Sequence, residues 1–137
     1  MTEQGALLAD FRVLLVEDNP DDEFLAMWVL RKVGLKRVSV ARDGREALDL
    51  LSDAAGGEGG VPDLVILDLR LPRIDGIEVL KRIREDARTS DLPVLVLTSS
   101  EDAGDKESCR RLGIIDYCYK PLKEGALRGI LDRVGVR

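Results

Sequence analysis

The stretch Asp63-Leu-Val-Ile-Leu-Asp68-Leu-Arg-Leu-Pro72 decides the fold, because an uninterrupted apolar run ends in an acid. Four consecutive apolar residues between two acids indicate a short strand that is buried on both faces. A carboxylate at the end of such a strand is costly unless it is exposed, paired or bound to a metal ion. Asp68 therefore lies at the carboxyl end of a buried strand and is the first candidate for a functional residue.

Three other strand-like runs, over residues 13–16, 94–97 and 116–119, also end in polar side chains. The residues that follow these runs are Glu17 and Asp18, Thr98, and Lys120, respectively. In an open parallel sheet, ligands bind beyond the carboxyl ends of the strands. Acids, a hydroxyl and one ammonium at the carboxyl ends of the strands suit the binding of a divalent cation and a phosphoryl group.

Strand-like and helix-like segments alternate along the chain. The predicted strands cover residues 12–16, 37–41, 63–67, 93–98 and 116–119, and the predicted helices cover 20–33, 44–54, 76–86, 102–112 and 123–134. The pattern predicts an α/β fold with a doubly wound, five-stranded parallel sheet covered on both faces. The second strand contributes no candidate, which fits the order 2-1-3-4-5 with that strand at the edge of the sheet. We expect one domain over residues 1–137, with its core in 11–135 and no output domain.

The apolar spacing also predicts which helix faces are buried. The fourth helix is weakly apolar, and we expect most of its surface to be exposed. For the other helices we predict these buried faces: in the first helix, Phe24, Leu25, Trp28, Val29 and Val33; in the second, Ala47, Leu48, Leu50 and Leu51; in the third, Ile77, Leu80 and Ile83; and in the fifth, Leu127, Ile130, Leu131 and Val134.

Composition excludes several classes of function. A net charge of -5 argues against a general nucleic-acid surface. The chain has no apolar run near the roughly 20 residues of a membrane helix and no signal peptide, so we expect a cytoplasmic protein without a membrane role. With no histidine in the chain, any histidine chemistry must come from a partner. Cys109 and Cys118 lack CxxC spacing and are expected to be free thiols.

The acids after the first strand discriminate between kinds of site. A nucleotide-binding fold would place glycines there, whereas this chain has acids that repel a bare phosphate and attract a hard cation such as Mg²⁺. Two carboxylates about 4 Å apart repel by roughly 4 kcal/mol at an effective dielectric near 20, so Asp18 and Asp68 would gain from a divalent ion. Asp68 can then act as a nucleophile towards phosphorus, while Lys120 and Thr98 bind the phosphoryl oxygens.

Each of these residues also has a simpler interpretation. Asp18 could cap the first helix, Asp68 a turn and Thr98 the fourth helix, and Lys120 could be a solvated charge. Taken singly, these interpretations are favoured. Their joint placement at strand ends, in a chain without histidine, favours one shared site.

With these residues in place, the chain resembles the receiver domain of two-component response regulators, such as the single-domain chemotaxis regulator. The resemblance covers residues 12–134. Asp68 and Thr98 are 30 residues apart, and Thr98 and Lys120 are 22 apart, as in that family. The matching motifs are Val16-Glu-Asp-Asn-Pro20, Ile66-Leu-Asp-Leu69, Leu71-Pro-Arg-Ile-Asp-Gly76, Leu97-Thr-Ser99 and Tyr119-Lys-Pro121.

The resemblance implies a role for each site residue. Asp68 would be the phosphoacceptor, and Thr98 and Lys120 would bind the phosphoryl group. Mg²⁺ would be held by Asp18 directly, by Glu17 through water, by Asp68 and by the carbonyl of Arg70. The Lys120–Pro121 bond would be cis. Tyr117 falls at the switch aromatic of the family, although a plain surface-strand aromatic remains an equal alternative.

Two departures from the family pattern bear on function. Arg70 puts a long cation over the phosphoryl site, which leaves the lifetime of the phosphoryl group open, and Glu17 replaces the commoner aspartate. The first motif, followed by Asp21 and Asp22, resembles that of the receivers encoded beside bacterial phytochromes. This narrower resemblance implies a bacteriophytochrome as partner kinase.

The resemblance implies a phosphorelay module rather than an enzyme, with only its own phosphorylation and dephosphorylation as chemistry. A partner sensor histidine kinase would supply the phosphoryl group, and the last strand with its flanking helices would change its protein contacts and form a homodimer. Two alternatives stay open. One is a phosphohydrolase of the haloacid dehalogenase type, which usually has its nucleophile after the first strand, and the other is a phosphorylation-independent scaffold.

Overall fold

A computed structural model describes residues 7–136 and contains five strands and five helices in strict alternation. The strands are β1 (Arg12–Val16), β2 (Arg37–Ala41), β3 (Leu64–Leu67), β4 (Val94–Thr98) and β5 (Asp116–Tyr119). The helices are α1 (Pro20–Val33), α2 (Gly44–Ala55), α3 (Gly76–Glu85), α4 (Ala103–Arg111) and α5 (Glu124–Arg133). Every element lies within one residue of its predicted bounds.

The sheet is parallel throughout, in the order β2-β1-β3-β4-β5, which confirms the predicted fold and strand order. In register, Val16 pairs with Leu67 of β3, and Thr98 pairs with Tyr119 of β5. The residues that follow these pairs therefore leave the sheet side by side, at the carboxyl ends of the strands. This end of the sheet carries the candidate site.

Two apolar layers cover the sheet. One layer packs α1 and α5 against Val13, Leu15 and Ile66, and the other packs α2, α3 and the buried Cys109 of α4 against Leu14 and Val65. Successive strand residues point to opposite faces, so both sides of each central strand are buried. This explains why β3 and β4 are apolar at every inner position.

Side-chain caps begin α1, α2, α3 and α4 at the carboxyl ends of the strands, where the site lies. Asn19 accepts hydrogen bonds from the backbone N–H groups of Asp21 and Asp22 at 2.9 and 3.0 Å. Gly34 ends α1 with a φ of 109°, a conformation that glycine adopts without steric cost. In the described part of the chain, no helix is both long enough and apolar enough to cross a membrane.

The predicted buried face of α1 is wrong at three of its five residues, whereas Val33 is buried as predicted and Val29 is half-buried. Phe24, Leu25 and Trp28 are 68%, 50% and 57% exposed, whereas Ala26 and Leu30 are buried together with Val33. The helix is apolar around most of its circumference, so spacing alone could not decide which side meets the sheet. Ala26 and Leu30 belong to the apolar layer against the sheet, and the side chains of Phe24 and Trp28 are exposed.

The other helices follow their predicted faces with small differences. In α2, Ala47 and Leu51 are buried but Leu50 is 36% exposed. Val79 of α3 is fully buried although it was not in the predicted face. The prediction for α4 is confirmed, since Cys109 is its only buried residue.

Candidate functional site

Asp68 lies where β3 leaves the core, and it is 4% exposed. Its backbone N–H donates to the carbonyl of Val16 at 3.1 Å, which continues the β1–β3 pairing past the end of the strand. Its Oδ1 accepts the backbone N–H of Arg70 at 3.3 Å. These contacts hold the carboxylate at the floor of a cleft, between the strands and the acids of the β1–α1 turn.

Lys120 places its ammonium inside this cleft. Its Nζ lies 2.8 Å from Asp68 Oδ2, 2.8 Å from Glu17 Oε1 and 2.8 Å from Asp22 Oδ2. Burial lowers the pKa of Lys120, but the three carboxylates outweigh burial and raise it above its usual range. The side chain is 14% exposed, so the interpretation of Lys120 as a solvated charge is wrong.

Glu17 is the most deeply buried acid of the cluster, at 2% exposure. Burial raises its pKa, and the hydrogen bonds from Lys120 and from the backbone N–H of Asn19 partly oppose that shift. The Lys120 ammonium and the Asn19 N–H together offset the cost of burying this carboxylate.

Asp18 completes a group of three acids. One carboxylate oxygen each from Glu17, Asp18 and Asp68 lies within 4.8 Å of the others, and Asp18 is exposed at the mouth. Since Asn19 caps α1, the alternative role of Asp18 as its cap is wrong. Hard oxygen donors in this number and spacing fit Mg²⁺, which uses one or two carboxylates and keeps several waters.

Thr98 ends β4 and is fully buried. Its Oγ1 accepts the backbone N–H of Ser100 at 3.2 Å, and its carbonyl accepts the N–H of Lys120 at 3.0 Å. Because Asp102 caps α4, the interpretation of Thr98 as that cap is wrong.

Two backbone features shape the cleft. A Cβ on Gly76 would lie 2.2 Å from the carbonyl oxygen of Asp68, so only glycine permits this approach of α3 to the acceptor. The Lys120–Pro121 peptide bond is cis, as the resemblance implied.

Tyr117 is half-buried on β5, and its hydroxyl donates to the carbonyl of Ser100 at 2.9 Å. Burial raises the pKa of its phenol. Its ring meets that of Tyr119 edge to face, with centroids 5.6 Å apart. The hydroxyl therefore ties β5 to the segment that follows Thr98.

Arg70 extends its guanidinium across the cleft towards α4. Its Nη2 lies 3.3 Å from Ser100 Oγ and 3.6 Å from Asp105 Oδ2. Ser100 Oγ in turn donates to Asp105 Oδ2 at 2.8 Å.

The structure brings together Glu17, Asp18, Asp68, Thr98 and Lys120, which the sequence predicted as one site. Sequence reasoning missed Ser100 and Asp105 as neighbours of that site. The sequence named Asp22 but gave it no contact with Lys120, whose ammonium it meets from the first turn of α1. Ser100 and Asp105 carry no comparable signal.

Comparison with known proteins identifies the relatives of this arrangement. The family model described as the response regulator receiver domain matches residues 13–132. The structure of the bacteriophytochrome response regulator AtBRR is similar to the chain with 38% sequence identity and a TM-score of 0.79, covering 91% of this chain and 93% of that one.

Two further solved structures concern the ligands of the site. The phosphorylated cyanobacterial phytochrome response regulator RcpA is 34% identical, with a TM-score of 0.75 and coverage of 92% of this chain and 91% of that one. The receiver domain of the sensor histidine kinase PA1611 from Pseudomonas aeruginosa PAO1 has magnesium coordinated in its active-site cleft. It is 34% identical, with a TM-score of 0.74, covering 91% of this chain and 97% of that one.

Proposed function

The chain belongs to the response regulator receiver domain family, and on that premise we propose that it accepts a phosphoryl group from a partner histidine kinase on Asp68. The observation that carries this proposal is the triple contact of Lys120 with Asp68, Glu17 and Asp22 beside a buried Thr98. The Lys120 ammonium lies beside an Asp68 carboxylate oxygen, and Thr98 ends the neighbouring strand, which supports a shared phosphoryl site.

The transfer step follows from this arrangement. An Asp68 carboxylate oxygen forms a bond to phosphorus while the bond from phosphorus to the partner's histidine nitrogen breaks, and the imidazole leaves with that electron pair. Lys120 then moves its ammonium from the carboxylate to a phosphoryl oxygen, and the Thr98 hydroxyl donates to another. Glu17, Asp18, Asp68 and the carbonyl of Arg70 would hold Mg²⁺, which when bound neutralises charge on the phosphoryl oxygens.

The response to phosphorylation is proposed to lie in the face formed by α4, β5 and α5. Thr98 and Tyr117 both contact Ser100, at 3.2 and 2.9 Å, in the segment that leads into α4. A shift of Thr98 towards the phosphoryl group would disturb that segment, and Tyr117 would move with it. Because α4 is held by one buried side chain, it is the helix most easily displaced.

We further propose that this face pairs two copies of the chain and that the partner kinase is a bacteriophytochrome acting in the cytoplasm. The likeness to AtBRR and RcpA, both named as phytochrome response regulators, supports the second part. Light scattering with and without beryllofluoride, a mimic of the phosphoryl group, tests the first part. A mass that stays monomeric in both conditions would contradict pairing.

Labelling by acetyl phosphate tests the acceptor. With Mg²⁺, we expect the wild type to gain one phosphoryl group by intact mass. Asp68→Asn should gain none, whereas the control Asp63→Asn, at the other end of β3, should label like the wild type. Labelling of Asp68→Asn equal to that of the wild type would refute the assignment.

A further inference from the structure

The network around Arg70 links the acceptor loop to α4 through three side chains. Arg70 follows the acceptor by two residues, Ser100 follows Thr98 by two, and Asp105 lies in the first turn of α4. The three are joined by contacts of 3.3, 2.8 and 3.6 Å. The guanidinium is thus shared between the rim of the site and the helix that the proposed function expects to move.

The contact between Arg70 and Asp105 is weak by its geometry. At 3.6 Å the two atoms are beyond a good hydrogen bond, and the Arg70 side chain is 67% exposed. Such a pair is worth little in water. The Asp105 carboxylate keeps the Ser100 hydroxyl as a second donor, so it does not depend on Arg70 alone.

A phosphoryl group on Asp68 would be a stronger partner for Arg70. The backbone N–H of Arg70 already touches Asp68 Oδ1 at 3.3 Å, so its side chain starts next to the acceptor. A phosphoryl group carries about −1.5 to −2 charge and offers oxygens that a guanidinium can bind in two-pronged fashion. The exposed arm can reach the group by rotating about its own side-chain bonds.

We propose that Arg70 is a switch residue that exchanges Asp105 for the phosphoryl group. In the unphosphorylated state it bridges to α4, and after phosphorylation it leaves Asp105 and binds a phosphoryl oxygen. The Asp105 carboxylate then keeps the hydrogen bond from Ser100 but loses its cation, at the moment when Thr98 also shifts. This inference rests on the proposed phosphorylation of Asp68.

The exchange makes Asp105 a competitor of the phosphoryl group, which a double-mutant cycle can detect. Asp105→Asn is nearly isosteric and keeps an oxygen for the Ser100 hydroxyl, but it removes the charge that holds Arg70. Beryllofluoride with Mg²⁺ is the probe, and its half-saturating concentration is read from amide cross-peaks in NMR titrations. We expect Asp105→Asn to bind about 1.4- to 5-fold more tightly than the wild type, the range that an exposed ion pair supplies.

Two further variants, Arg70→Gln and the double variant Arg70→Gln/Asp105→Asn, distinguish the exchange from a general effect of charge on beryllofluoride binding. Arg70→Gln should bind more weakly than the wild type, and Asp105→Asn should give no further gain once Arg70 is absent. An equal gain from Asp105→Asn in both backgrounds, or no gain in the wild-type background, would overturn the exchange while leaving the phosphoryl site intact. A wild type that does not respond to beryllofluoride at all would overturn the site and the exchange together.

Discussion

Replacement of Lys120 by methionine should leave a cluster of buried acids without its cation. Methionine keeps the length and apolar stem of the side chain but removes the ammonium that contacts Glu17, Asp22 and Asp68 at 2.8 Å each. Glu17 and Asp68 are almost fully buried, so water cannot replace the lost partner. We therefore expect the folded state to lose stability in Mg²⁺-free buffer.

The magnitude follows from two independent routes. Removing one member of a buried ion pair typically costs about 3–5 kcal/mol. Two carboxylate oxygens at the 4.8 Å limit of this cluster repel by about 3.5 kcal/mol at an effective dielectric near 20. We expect a loss of about 3 kcal/mol in the free energy of unfolding, a large share of the roughly 5–15 kcal/mol typical of a domain.

Urea unfolding at pH 7.5 without Mg²⁺ measures this loss, and Lys123→Met is the matched control because Lys123 is exposed and caps no helix through its side chain. The control should stay within about 0.5 kcal/mol of the wild type. The loss in Lys120→Met should shrink as the pH falls towards 5, because burial raises the pKa of Glu17 and this carboxylate can then take up a proton. It should also shrink in Mg²⁺, which binds only the folded cluster. A Lys120→Met protein as stable as the control would refute the view that this ammonium sustains the acids.

Three other variants or groups give further tests. Asp18→Asn should raise stability without Mg²⁺, by relieving repulsion, and should abolish stabilisation by Mg²⁺; a thermal shift with Mg²⁺ equal to that of the wild type would contradict the role of Asp18. Gly76→Ala should cost about 3 kcal/mol or more in urea unfolding, because its Cβ would meet Asp68 backbone at 2.2 Å, whereas Gly125→Ala, with nothing within 4 Å, should stabilise by up to about 1 kcal/mol. Burial raises the pKa of Cys109 to about 11, so its thiolate fraction at pH 8 is about 100-fold below that of a thiol with the ordinary value of 9.0. Iodoacetamide should therefore label Cys109 slowly in the folded protein and quickly in urea, and fast labelling of the folded protein would disprove this.

The site was largely predictable because its residues occupy strand ends. Asp68, Thr98 and Lys120 each end an apolar run, and in a parallel sheet such ends must meet at one edge. Spacing in sequence therefore translated into proximity in space. The strand order fits the same argument, since β2 alone supplies no such residue and lies at the edge of the sheet.

What the sequence could not supply were the orientation of α1 and the side-chain contacts around the site. Both sides of α1 are apolar, and only close packing against the sheet selects Ala26 and Leu30 over Phe24 and Trp28. The bridge from Arg70 to Asp105 depends on the position of α4, which spacing does not fix. Such contacts arise from three-dimensional packing rather than from any local pattern.

Trapping the phosphorylated residue tests the central claim most directly. Borohydride reduces an acyl phosphate on aspartate to homoserine, so treatment after acetyl phosphate and Mg²⁺ should convert one aspartate, and peptide sequencing by mass spectrometry should locate homoserine at position 68. Homoserine at another aspartate, or none in a protein that has gained a phosphoryl group, would contradict the assignment of Asp68 as the acceptor.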